Sequence, residues 1–226
     1  MTEDDDRRPI AILFDVDGCL ISSGGAGTKA WRFAFDRLHG VPADIGEFTG
    51  RVIGREPTDR EMARLLAAYL DRLGVEVERS RGYRVMPGVA SLLPRLIDEG
   101  VLLGIVSGAL EAAAHIKLAR GGLNRFFCFG GYGSDSRDRP ELTRLAIERA
   151  AWIHGHTLDA ARLQVVGDTP RDIDAAHASG AIAVGVATGK YTVKALRDAG
   201  ADHVLSTLEE PLPDRPDLAG PREADQ

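Results

Sequence analysis

Four aspartates follow short apolar runs, two at each of two places in the chain: Asp15 and Asp17 after Ile10-Ala11-Ile12-Leu13-Phe14, Asp168 and Asp172 after Val165-Val166-Gly167. An apolar run that stops abruptly in acid and glycine is the pattern of a buried strand entering a polar turn. Two residues apart at such a strand end, with Gly18 opening the turn, Asp15 and Asp17 approach one crevice. Neighbouring carboxylates repel unless they share a proton or a cation. A hard cation such as Mg2+ relieves the repulsion, because it takes oxygen ligands and keeps part of its water, which suits it to phosphate substrates. Asp168 at its strand end and Asp172 in the first turn of the next helix face the same crevice. Taken alone, Asp15 reads equally as a turn residue, and Asp172 as a helix-start residue favoured by the dipole behind Pro170.

Two further segments carry anion chemistry. Ile105-Val106-Ser107-Gly108 delivers a hydroxyl just before a helix start, where free backbone N–H groups and Ser107 make a small anion site. The plain alternative for Ser107 is a helix cap. Arg137-Asp138-Arg139-Pro140-Glu141 precedes another helix, and an arginine there neutralises phosphate charge; spacing alone does not select Arg139, since most loop arginines are simply solvated.

The elements that must position these groups alternate. Apolar runs at residues 10–14, 101–106, 126–129, 163–166, 181–186 and, more weakly, 203–205 read as strands, and residues 88–98, 109–120, 141–153, 171–178 and 193–199 as helices. Such alternation predicts a doubly wound parallel α/β sheet, Rossmann-like, with ligands beyond the carboxyl ends of the strands. The expected core is discontinuous, residues 9–19 and 85–208, interrupted by a small helical cap at 20–84; 1–8 and 209–226 read as flexible tails. Within the cap one helix carries Trp31, Phe33, Ala34, Phe35 and Leu38, and a second opens with Thr58-Asp59-Arg60-Glu61, a capping-box pattern, then continues through Met62, Leu65, Leu66, Tyr69 and Leu73. No strand is expected between the first and second core strands. The alternative arrangement packs these two helices on the flank of the sheet.

In this order the segments resemble the haloacid dehalogenase superfamily, on its branch of phosphoglycolate phosphatases and β-phosphoglucomutases with a helical cap. Asp15-x-Asp17-Gly18, Ser107, Arg139 and Gly167-Asp168-x-x-x-Asp172 carry the resemblance, which spans roughly residues 10–205. It implies that Asp15 attacks phosphorus and becomes an aspartyl-phosphate, while Asp17 protonates the leaving alcohol and then activates water. It also implies Mg2+ on the side chains of Asp15 and Asp168 and the backbone carbonyl of Asp17, with Asp172 nearby, and phosphate held by Ser107, Gly108 and Arg139. The family commonly has lysine at position 139, and many relatives have asparagine at position 109, which is Ala109 here. The family's compact Gly-Arg-Thr-Asp is split here between Gly50-Arg51 and Thr58-Asp59. The expected activity is a Mg2+-dependent phosphatase acting on a small phosphorylated metabolite. A sugar phosphomutase uses the same two aspartates and stays open as the alternative, as does a phospho-ligand-binding module without turnover. True dehalogenation is disfavoured by Asp17, which the dehalogenases lack.

Composition narrows the partners. With 226 residues and a formal net charge of −6, the chain has length for one substantial core and no basic footprint for nucleic acid. No run approaches a membrane span and no leader pattern opens the chain, so no membrane partner and a cytoplasmic location are expected. Cys19 and Cys128 are too few for a disulfide framework, and both sit in apolar runs that read as core. Either a monomer or a homodimer is compatible with the sequence. Basic residues are mostly arginine, with lysine only at Lys29, Lys117, Lys190 and Lys194.

Overall fold

In the computed structural model, which describes residues 9–41 and 58–213, six parallel strands form one sheet. They are β1 (Ala11–Phe14), β4 (Leu102–Ser107), β5 (Phe129–Tyr132), β6 (Leu163–Gly167), β7 (Ile182–Val186) and β8 (His203–Leu205), in the spatial order β5-β4-β1-β6-β7-β8. Every residue of β1, β6 and β7 is buried, the signature of strands covered on both faces. Along β1 the side chains alternate between two cores. Ile12 and Phe14 enter one with α3 (Val89–Asp98) and α4 (Glu111–Arg120). Ala11 and Leu13 enter the other with α5 (Arg139–His154), α6 (Pro170–Ala178) and α7 (Val193–Asp198).

The chain leaves β1 towards β4 and β5 on one side, then returns to β6, β7 and β8 on the other. Strand order reverses at β1, and such a switch point opens a crevice beyond the carboxyl ends of the strands. Register aligns Phe14 with Ile105 on one neighbour and with Val166 on the other. Asp15, Ser107 and Asp168 therefore emerge at one end of three adjacent strands.

Residues 20–84 include α1 (Ala26–His39) and α2 (Asp59–Arg79), which pack on each other through Ala30, Ala34, Phe35, Leu65, Leu73 and a Trp31–Tyr69 stack with ring centroids 3.9 Å apart. The expected capping box is present: Thr58 Oγ1 accepts from Glu61 N at 3.3 Å, and Glu61 Oε2 accepts from Thr58 N at 2.9 Å. This apolar cluster continues onto α4 through Ala113, so the helical pair rests on the sheet domain. Arg120 tightens the return to the core, donating to Ser80 O at 2.8 Å and to Val77 O, with its guanidinium 4.5 Å from the centre of the Tyr83 ring.

Several expectations are corrected. Two strands do lie between β1 and β4: β2 (Ile21–Ser23) pairs antiparallel with β3 (Tyr83–Val85). At three residues each, with serine, tyrosine and arginine in them, they carry too little apolar alternation to register as strands. The run at 126–129 instead supplies a short 3-10 helix, Asn124–Phe126, and β5 begins only at Phe129. Cys19 is buried as expected, but Cys128 is exposed, because it precedes β5 at the edge of the sheet. Helix α4 begins at Glu111 rather than at 109, leaving residues 108–110 as a loop after Ser107. The chain packs as far as Pro213: Leu212 lies against the core and Gln164 Nε2 donates to Pro213 O at 2.6 Å. Residues 1–8, Gly50-Arg51 and 214–226 lie outside the described residues.

Candidate active site

Asp15, Asp168 and Asp172 converge as the sequence predicts: each offers a carboxylate oxygen, and these oxygens lie within 4.8 Å of one another. Backbone geometry holds them there. Asp15 N donates to Val166 O at 2.9 Å, extending the ladder between β1 and β6 one residue beyond the strand. The chain then turns at Gly18, whose φ of +96° suits glycine. A Cβ on Gly18 would meet Asp168 Oδ2 at 2.4 Å, and one on Gly189 would meet the same oxygen at 1.7 Å. Two glycines thus let backbone close around the Asp168 carboxylate. Thr188 Oγ1 donates to Gly18 O at 2.6 Å, tying these two loops together.

The crevice above the cluster has a volume of about 240 Å3 and is lined by Asp15, Asp17, Gly108, Arg139, Asp168 and Asp172, among others. Arg139, from the first turn of α5, reaches across it. Its Nη2 donates to Asp15 Oδ1 at 2.6 Å and also to Asp172 Oδ1, which accepts from Arg139 Nε at 3.0 Å as well. The planar fork thereby serves two carboxylates at once, which a single ammonium does less readily. Asp172 also closes the start of α6: its Oδ2 accepts from Thr169 N at 3.1 Å and from Thr169 Oγ1 at 2.7 Å. Asp172 thus caps the start of α6 and also faces the crevice, with both of its oxygens engaged.

Asp168 differs. It is 4% exposed, and its Oδ1 is buried with no hydrogen-bond partner among the described residues. An unpaired buried carboxylate oxygen is costly unless a proton or a cation satisfies it. Burial pushes Asp168 up to about 6, helped by the charge of Asp172. Burial likewise pushes Asp15 up to about 7, with the Arg139 charge pulling the other way. A divalent cation fits this set, because it would satisfy Asp168 Oδ1 and offset the burial and mutual repulsion that hold both acids towards their neutral forms.

Asp17 sits apart from this trio, across the turn, where it pairs with Lys117 from α4. Lys117 is only 6% exposed. Burial pulls its ammonium down, but the charge and hydrogen bond of Asp17 outweigh this and hold it above its ordinary value. Sequence reasoning missed this residue. A signal existed, since Ala113, Ala114, Lys117 and Leu118 share the i, i+3, i+4 spacing of the buried face of α4. Ser107 is buried at the end of β4, with its Oγ accepting from Ala109 N at 3.2 Å.

The comparisons agree with this geometry. Residues 11–180 match the model of the haloacid dehalogenase-like hydrolases. The chain is 29% identical over 205 residues to a phosphoglycolate phosphatase of Synechococcus elongatus, covering 87% of this chain and 92% of that one. It is 31% identical over 212 residues to the validoxylamine A 7'-phosphate phosphatase of Streptomyces hygroscopicus subsp. limoneus, covering 88% and 93%. Among solved structures, CbbY from Rhodobacter sphaeroides in complex with phosphate superposes with a TM-score of 0.69 at 21% identity, over 89% of this chain and 96% of that one. No helix of the described residues is long and apolar enough to cross a membrane. A parallel sheet whose switch point gathers three aspartates and an arginine, together with a family match over most of its length, places this chain among the haloacid dehalogenase-like hydrolases.

Proposed function

We propose that this hydrolase is a Mg2+-dependent phosphatase that cleaves a small phosphomonoester through an aspartyl-phosphate on Asp15. The observation that carries the reading is Asp168 Oδ1, without a hydrogen-bond partner among the described residues and buried within a trio of carboxylates beside a guanidinium. Asp15 and Asp168, with the backbone carbonyl of Asp17, are the groups to hold Mg2+, and Asp172 supports them through Arg139. When bound, the cation supplies positive charge that keeps Asp15 ionised at neutral pH and offsets the negative charge of the phosphoryl group.

The chain's own residues then divide the work. Ser107, the N–H of Gly108 and Arg139 bind the phosphoryl oxygens. Asp15 attacks phosphorus in line with the leaving oxygen, and the P–O bond to the alcohol breaks as Asp17, which must enter the cycle protonated rather than as the carboxylate paired with Lys117, gives that oxygen its proton. Asp17, now a carboxylate, takes a proton from water; the water oxygen bonds to phosphorus and the Asp15–phosphorus bond breaks. One ester and one water become one alcohol and one phosphate, with both aspartates restored. Residues 20–84 serve as a cap: α1 and α2 cover Asp17 and exclude bulk water during the transfer.

Phosphate release from a panel of phosphomonoesters, measured with Mg2+ and with EDTA, tests the reading. Turnover that needs Mg2+ and disappears in Asp15→Asn and Asp17→Asn is the expected result. Metal-independent turnover, or turnover surviving in Asp15→Asn, refutes it.

A further inference from the structure

Beside the acidic crevice lies a second, larger cavity of about 790 Å3, between α1, α2 and the loop that leads into α4. The two spaces share Asp17, Gly108 and Arg137, so whatever is esterified to a phosphate in the crevice extends into this cavity. Its volume lies in the range of sites that enclose drug-sized ligands, about 300–1,000 Å3. A two-carbon alcohol leaves most of that space to water.

The walls indicate what fills it. Trp31, Met62, Leu65, Leu66, Tyr69 and Leu110 form a continuous apolar part of the lining. Asp17 and Lys117, the charged pair at its inner end, are engaged with each other, and Arg137 is exposed at the mouth. Among the described residues the other polar groups of the lining are Thr28 and Ser134, both exposed, and the Trp31 and Tyr69 side chains, which are hydrogen-bonded to each other. A polyhydroxylated sugar would exchange its water for the apolar wall of Met62, Leu66 and Leu110 on one side, which costs free energy for each hydroxyl left unpaired there. An apolar body loses nothing by entering and gains by displacing water from Leu and Met surface.

We infer that the alcohol released by this enzyme carries an alkyl or aryl body of several carbons, lodged against Met62, Leu65, Leu66 and the edges of the Trp31–Tyr69 pair. The inference rests on the phosphatase reading and adds the substrate class. A glycolate or hexose ester is accordingly a poor substrate.

A homologous series tests this with little change in leaving-group chemistry. kcat/KM is measured on the full-length protein with Mg2+ for ethyl, butyl and hexyl phosphate, with phosphoglycolate and glucose 6-phosphate as comparators. Burial of each added CH2 raises kcat/KM by up to about fourfold, and hexyl phosphate exceeds both comparators. In Leu66→Gln, whose melting curve reports whether it is folded, the ratio of hexyl to ethyl phosphate falls about tenfold. A flat or falling series, or phosphoglycolate turned over faster than hexyl phosphate, overturns the inference while leaving the phosphatase reading intact. No turnover on any ester overturns both.

Discussion

The raised acids make the protein's stability depend on pH in a direction opposite to that of ordinary paired carboxylates, and Mg2+ should reverse it. In the metal-free fold Asp15 is lifted from 3.8 to about 7 and Asp168 from 3.8 to about 6, in both cases chiefly by burial. The folded protein therefore holds protons that the unfolded chain releases. Stability from this source is full below about pH 4 and is lost as pH rises through about 6 to 7. A tenfold difference in proton affinity is worth about 1.4 kcal/mol, so Asp15 alone contributes at most about 4 kcal/mol. The cluster relaxes and admits water, which makes that figure a ceiling. For a domain of this size each kcal/mol moves the melting point by about 2–4 °C. In EDTA the melting point should therefore fall by on the order of 10 °C between pH 5 and pH 8. Mg2+ at a hundred times its dissociation constant returns about 2.7 kcal/mol at pH 8. It returns much less at pH 5, where protonated carboxylates do not ligate. Thermal melts by circular dichroism at the two pH values, with Mg2+ and with EDTA, provide the measurement. Asp168→Asn, which removes one buried charge at constant size, should be more stable than wild type at pH 8 in EDTA and should lose the Mg2+ shift. Equal Mg2+ shifts at both pH values, or a full shift in Asp168→Asn, would refute the proposal that Asp15 and Asp168 hold the metal.

Substitutions at three other positions follow from particular contacts. Gly189→Ala puts a methyl group where Asp168 Oδ2 lies, so the carboxylate must move; activity and the Mg2+ melting shift should both fall at least tenfold and by half respectively, in a protein that still folds. Arg139→Ala leaves Asp15 and Asp172 without their shared cation and should lower kcat about 10²–10³-fold, the range seen when one charge-stabilising donor is removed, while Arg139→Lys, which keeps the charge but not the fork, should lie between it and wild type in steady-state assays. Lys117→Met removes the partner of Asp17 and should lower kcat more than it raises KM, since the ester's phosphate is held elsewhere; an unchanged kcat would deny Lys117 any part in positioning Asp17.

How much of this was legible in the sequence follows from the range over which each signal acts. Strands buried on both faces must be apolar throughout, so β1, β6 and β7 announce themselves as continuous runs, and the aspartates that follow β1 and β6 mark the carboxyl edge of the sheet. The convergence of Asp15, Asp168 and Asp172 then follows from parallel strands with short polar turns. The β2–β3 pair leaves no comparable trace, because strands of three residues are too short to show a period, even though Ile21 is buried in the core and Tyr83 and Val85 pack against it. Lys117 falls between these cases. Helical spacing puts it on the buried face of α4, but only the fold shows that this face looks towards Asp17, 100 residues away in the chain. The same holds for the larger cavity. Met62, Leu65 and Leu66 read from sequence as ordinary core of a helical pair, and part of that face is indeed core, joined to Trp31 and Ala113. What separates core from binding wall is the space left where α2 passes over the loop after β4, and that space depends on how two distant segments meet. A helix pattern states which face is apolar; it does not state whether another side chain or a substrate completes the burial. The acidic cluster, fixed at strand ends, is thus written locally, whereas the cavity we assign to the alcohol depends on the fit between α2 and the loop into α4, and has to be read from the fold.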